Sequence, residues 1–175
     1  MIFKKGYDII DLSKERKGKT KMVEAIYWDM DGTIADLYGY ENWLDFLHAE
    51  DTTPYEKAAP LVDMHELNQL CEQFVKLGVT IGVISWSAMN GSKEYNKETR
   101  KAKKSWIEKN LPCVSEFHVV QYGTPKHHVR KIKNSILVDD NAQVRKAWKG
   151  STIDASNSKE MLKNLEMLLD KVRAA

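Results

Sequence analysis

Short apolar runs rich in β-branched residues recur along this chain, and three end on an oxygen-bearing side chain: Val23–Asp29 (VEAIYWD), Val79–Ser85 (VTIGVIS) and Ser135–Asp139 (SILVD). Runs this short read as strands buried on both faces rather than as helices. Phe117–Val120 repeats the pattern, and Ser151–Ile153 predicts a short edge strand. Helical patterns lie between them. Leu61, Met64, Leu67, Leu70, Phe74 and Leu77 recur at helical spacing up to Gly78, a plausible stop. Lys97–Asn110 is charged on most faces, with Ala102, Trp106 and Ile107 as its apolar side. Ala142–Trp148 forms a third pattern. Asn157 and Glu160 resemble a capping box ahead of the stripe Met161, Leu162, Leu165, Leu168, Leu169 and Val172. Strands alternating with helices predict an α/β fold: a three-layer, Rossmann-like parallel sheet with helices on both faces. In such sheets ligands sit beyond the carboxyl ends of the strands, where Asp29, Ser85 and Asp139 fall.

The 175 residues suit one domain with a real core. Lys plus Arg number 27 against 25 Asp plus Glu, a balance that makes no general case for nucleic acid or an anionic membrane as partner. No run approaches a membrane span, and the N-terminus lacks the apolar stretch of a signal peptide. Cys71 and Cys113 have neither zinc spacing nor a disulfide framework, which suits a reducing cytoplasm. Residues 1–21 read as a basic tail, with Lys14, Arg16, Lys17, Lys19 and Lys21, and residues 22–175 as the core domain. Gly18-Lys19-Thr20 imitates the end of a phosphate-binding loop, but Ser13 stands where that loop needs glycine. Asp29-Met30-Asp31 imitates the start of a calcium loop, whose sixth and twelfth positions are here Ile34 and Tyr40.

Four signals remain, in order: Asp29-x-Asp31-Gly32-Thr33; Ser85; Lys126, in Tyr122-Gly123-Thr124-Pro125-Lys126; and Asp139-Asp140. Two carboxylates one residue apart at a strand end repel, so a cation or a shared proton is expected between them. This order, from about Val23 to Ile153, resembles the haloacid dehalogenase superfamily, whose members are mostly magnesium-dependent phosphatases. The resemblance implies that Asp29 attacks phosphorus to form an aspartyl-phosphate. It makes Asp31 the acid that protonates the leaving alkoxide, then the base for the hydrolytic water. A free Asp has a pKa of about 3.9, so Asp31 must be raised to serve as an acid. Gly32 permits the tight turn. Thr33 and Ser85 would contact the substrate, Ser85 through a phosphate oxygen, and Lys126 would offset charge on phosphate and nucleophile. Magnesium would be held by Asp29, the Asp31 backbone carbonyl, Asp139 and Asp140, with Asp140 favoured as the direct ligand.

Each signal has a plainer alternative. Ser85 could cap a strand end. Lys131 or Lys133 could stand in for Lys126. Asp139 and Asp140 could simply favour a helix N-terminus. His127 and His128 adjoin Lys126, but neighbours on an extended segment point apart and do not easily share an ion. Core packing is the default for the five tryptophans; Trp43 and Trp86 are the two placed near a substrate.

The segment Ala35–Ala59 predicts a small helical cap insert after the first strand, with Trp43, Leu44, Phe46 and Leu47 in an amphipathic pattern before Pro54-Tyr55. With Ala58, Lys104-x-Trp106-Ile107 and Asp139-Asp140, this layout resembles the 5′(3′)-deoxyribonucleotidase branch and implies a deoxynucleoside monophosphate substrate. Two other functions stay open. One is a phosphatase acting on nucleic-acid ends, with the basic tail touching backbone. The other is a non-catalytic phosphate-binding module, against which both Asp29 and Asp31 are retained.

Overall fold

The computed structural model describes residues 22–175; the basic segment and its Gly18-Lys19-Thr20 lie outside the described residues. The chain begins with β1 (Ala25–Trp28), then β2 (Ala35–Asp36), α1 (Trp43–His48), α2 (Thr53–Lys57) and β3 (Ala59–Pro60). Next come α3 (Met64–Lys76), β4 (Thr80–Trp86), α4 (Lys93–Asn110) and β5 (Glu116–Val120). It closes with β6 (Ser135–Asp139), α5 (Ala142–Ala147), β7 (Thr152–Asp154) and α6 (Ser158–Arg173).

Five strands make one parallel sheet in the order β5-β4-β1-β6-β7. Both faces of the three central strands are covered, which is why β1, β4 and β6 are buried along almost their whole length instead of alternating. Ile26 and Trp28 of β1 point to one side, packed with Leu67 and Phe74 of α3, Trp106 of α4 and Leu165 of α6. Ala25 and Tyr27 point to the other, against Leu137, Val144 and Trp148. The expected three-layer α/β arrangement is present, with Ser151–Ile153 realised as edge strand β7. Each large apolar side chain so buried contributes roughly 1.5–3 kcal/mol.

Some boundaries moved for local reasons. α3 starts at Met64, not at Leu61, because Asp63 caps it by accepting from the His65 and Glu66 N–H groups. Leu61 is left outside the helix, partly exposed. Gly78 does follow the helix end at φ +82°, a conformation that costs glycine least. α4 begins earlier than its apolar residues suggested, because Ser92 accepts from the Tyr95 N–H. Asn157 caps α6 as expected, and all six residues of that stripe are buried. Among the described residues no helix is long and apolar enough to cross a membrane.

The insert at 35–59 is closed at its base by the antiparallel pair β2–β3, and it is tied to α4 along its length. Glu50 grips Ser92 twice, accepting from its N–H at 2.7 Å and its hydroxyl at 2.6 Å. The Trp106 indole donates to the Ala58 carbonyl at 2.8 Å, and Leu37 and Tyr55 pack against Tyr95 and Ala102.

Candidate active site

The sheet reverses direction of growth at β1: the chain builds outward through β4 and β5, then returns to place β6 on the other side of β1. Such a reversal opens a crevice at the carboxyl ends of the two central strands. The parallel register pairs Trp28 with Val138, and the Asp29 N–H continues the ladder to the Val138 carbonyl at 2.9 Å. Asp29 and Asp139 therefore emerge side by side at the mouth of that crevice.

The turn after Asp29 is fixed by its backbone. The Met30 carbonyl accepts from Ile34 at 3.0 Å and Ala35 at 2.9 Å, and the Gly32 N–H returns to the Ala35 carbonyl at 2.9 Å. Gly32 sits at φ +78°, and a Cβ there would meet Tyr38 Cε2 at 2.8 Å and Asp140 Oδ2 at 3.0 Å. Glycine is required twice over, by conformation and by space. Thr33 is buried and locks this turn to the end of β6. Its Oγ1 accepts from the Asp140 N–H at 3.1 Å and donates to Asp140 Oδ1 at 3.0 Å.

Lys126 is a buried cation at this site. It lies on a single 3-10 turn, Lys126–His128, and its Nζ contacts Asp29 Oδ1 at 2.8 Å and Asp139 Oδ2 at 2.7 Å. Lys131 and Lys133 are exposed, which removes them as alternatives. Burial alone would lower the Lys126 ammonium, but Asp29 and Asp139 outweigh it and push it up. Asp139, fully buried, is raised to about 6 by burial and then by Asp29, against the pull of Lys126. Burial, then Asp29, raises Asp140 as well.

Carboxylate oxygens of Asp29, Asp139 and Asp140 lie within 4.8 Å of one another, a grouping that could hold a cation. An all-oxygen donor set suits a hard ion such as magnesium. Asp139 has its Oδ2 on Lys126 and its Oδ1 on the Asn141 N–H at 2.9 Å. Asp140 commits only Oδ1, to Thr33, so its Oδ2 is the better placed donor. The Asp31 side chain stands outside this group of three, because Lys103 holds its Oδ2.

Lys103 was not among the residues expected here. No part of it reaches solvent, and its Nζ donates to Asp31 Oδ2, to Ser85 Oγ at 2.9 Å and to the Trp86 carbonyl at 2.7 Å. Asp31 is raised above an ordinary carboxyl, chiefly by burial, with Lys103 opposing. Ser85, expected to face phosphate, is sealed from solvent behind this ammonium. A sequence signal for Lys103 did exist: it stands on α4 among Thr99, Ala102, Trp106 and Ile107, the helix's buried side.

Aromatic rings wall the crevice. Trp86 lies over Lys126 with Nζ 5.3 Å from its ring centroid, stacks obliquely on Tyr122 at 5.0 Å, and is pinned by its indole N–H on the Thr124 carbonyl at 2.8 Å. Trp86, Tyr122 and Trp148 bound a cavity of about 280 Å³ beside Lys126. From the insert, Trp43 meets Tyr38 edge-on at 5.1 Å. Burial, followed by the charges of Asp31, Asp29 and Asp140, pushes the Tyr38 phenol up. Of the five tryptophans, Trp28, Trp106 and Trp148 are buried, whereas Trp43 and Trp86 are partly exposed. His127 and His128 are not on an extended segment: the 3-10 turn brings their rings to 4.2 Å. The two rings therefore do not point apart as neighbours on an extended segment would. Comparison of the chain with models of known protein families and with curated proteins finds no match in either.

Proposed function

We propose that the chain is a magnesium-dependent phosphatase of the haloacid dehalogenase type, acting on a small phosphomonoester through an aspartyl-phosphate. One observation carries this reading. Asp29, Asp31, Lys126, Asp139 and Asp140 come from separate segments of the chain and meet at one sheet end, with a buried ammonium bridging the proposed nucleophile and a neighbouring carboxylate.

Asp29 has one oxygen held by Lys126, which restrains rotation and leaves the other oxygen to attack phosphorus. As the Asp29–phosphorus bond forms, the bond from phosphorus to the leaving oxygen breaks, and that oxygen takes the proton carried by Asp31. Water then attacks the aspartyl-phosphate, gives its proton to Asp31, and releases Asp29 and inorganic phosphate. The raised Asp31 suits both duties, since a group with an ordinary carboxyl pKa is rarely protonated near neutrality. Lys126 stays charged and offsets the negative charge gathered around Asp29. Asp29 and Asp140, with Asp139 behind them, would hold magnesium, which supplies charge neutralisation to an anionic ester facing an anionic nucleophile.

A ring-bearing leaving group is favoured, a deoxynucleoside monophosphate being one member of the class. The paired rings Trp86 with Tyr122 and Tyr38 with Trp43 offer flat apolar faces for such a group. The test is phosphate release from nucleoside and deoxynucleoside monophosphates and sugar phosphates, with magnesium or with EDTA. Magnesium-dependent release by the wild type and none by Asp29→Asn is expected. Equal turnover in Asp29→Asn would end the mechanism.

A further inference from the structure

A lysine with no solvent exposure, in contact with the proposed proton carrier, asks for a role beyond packing. An ammonium has three N–H bonds and no acceptor. Lys103 uses all three, on Ser85 Oγ, the Trp86 carbonyl and Asp31 Oδ2. The first two partners lie at the end of β4, where Ser85 and Trp86 pair with Val119 and Val120 of β5. They fix where the ammonium sits, and its third N–H fixes Asp31. The other oxygen, Asp31 Oδ1, is buried and has no hydrogen-bond partner among the described residues. A buried carboxylate oxygen without a partner costs free energy, so the arrangement persists only because the rest of the carboxylate is held. The ammonium itself is held further by the Tyr55 ring of the insert, 4.7 Å from Nζ to the centroid.

We propose that Lys103 is a positioning residue: by gripping Asp31 Oδ2 from a site anchored on β4, it fixes the orientation of the carboxyl group that hands the proton to the leaving oxygen. The inference rests on the phosphatase reading and adds to it a division of labour between two buried lysines. Lys126 serves the nucleophile Asp29, and Lys103 serves the proton carrier Asp31. Ser85 thereby becomes an anchor of Lys103, and the insert contributes to the chemistry through Tyr55.

The experiment compares wild type, Lys103→Met and Ser85→Ala on p-nitrophenyl phosphate, whose leaving group needs little protonation, and on a deoxynucleoside monophosphate, whose alkoxide needs a proton. A misplaced acid affects the second substrate. Lys103→Met should lose about 100-fold in kcat on the deoxynucleotide and less than about tenfold on the nitrophenyl ester, as expected for loss of general-acid help, with KM nearly unchanged for both. Ser85→Ala, which removes one anchor, should show the same selectivity at smaller size. It carries the comparison alone if Lys103→Met does not fold. Uniform loss on both substrates, or none, in a folded variant would overturn the positioning role while leaving the phosphatase reading intact. Absence of turnover by the wild type on either ester would instead remove the phosphatase reading, and this role with it.

Discussion

Replacing Lys126 by methionine keeps the length and most of the volume of the side chain and deletes its charge. In the structure that charge sits 2.8 Å from Asp29 and 2.7 Å from Asp139, with 3% of the residue exposed. Removing one member of a buried ion pair strands the other, at a cost of about 3–5 kcal/mol. For a domain of this size each kcal/mol lowers the midpoint by roughly 2–4 °C, so Lys126→Met should melt about 6–20 °C below wild type in EDTA at pH 7.5. The penalty belongs to charged carboxylates and therefore depends on pH. Asp139 is already raised to about 6 with Lys126 in place, and without that ammonium it rises further. A carboxyl raised on folding adds stability at low pH that is lost as pH climbs through its folded pKa. The loss runs to higher pH in the variant than in wild type, so the gap between them should widen from pH 5 to pH 7.5. Urea unfolding at both pH values, in EDTA, measures it. A gap below about 1 kcal/mol at pH 7.5, or one equal at the two pH values, would refute the claim that Lys126 neutralises buried carboxylates.

Gly32→Ala forces a side chain into φ +78° and against Tyr38 and Asp140; it should cost about 1–2 kcal/mol in denaturant unfolding and reduce phosphate release, and an unchanged midpoint would contradict the strain. Trp86→Ala removes a ring that lies over Lys126 and against Tyr122. KM for nucleoside monophosphates should then rise about 2–12-fold, the equivalent of one aromatic contact, while KM for a small sugar phosphate stays put. Equal changes for both substrate types would count against a ring-binding wall.

The fold was legible because its strands are buried on both sides. A strand of that kind is apolar along most of its length, and Val79–Ser85 and Ser135–Asp139 stand out for this reason. Helix starts were less legible. Asp63 and Ser92 set them by capping, whereas the apolar stripes of α3 and α4 speak only of which face is buried. The carboxylates at the ends of β1 and β6 could be found because the sheet places every strand end on one edge. Lys103 could not be found that way, since it arrives from the middle of a helix whose other lysines are solvated. Only its place on the apolar side of α4 marks it, and a single charged residue on such a stripe reads first as a surface error in phase. Ser85 was found, but nothing in VTIGVIS says that a lysine ammonium donates to its hydroxyl.

The proposed mechanism stands on a covalent bond between Asp29 and phosphorus. Rapid acid quenching of the enzyme during turnover of a deoxynucleoside monophosphate with magnesium, followed by peptide mass analysis, looks for it directly. One added phosphoryl group is expected on the peptide containing Asp29, absent in Asp29→Asn and absent with EDTA. Turnover that proceeds with no phosphoryl group on that peptide, or with one on another residue, would contradict it.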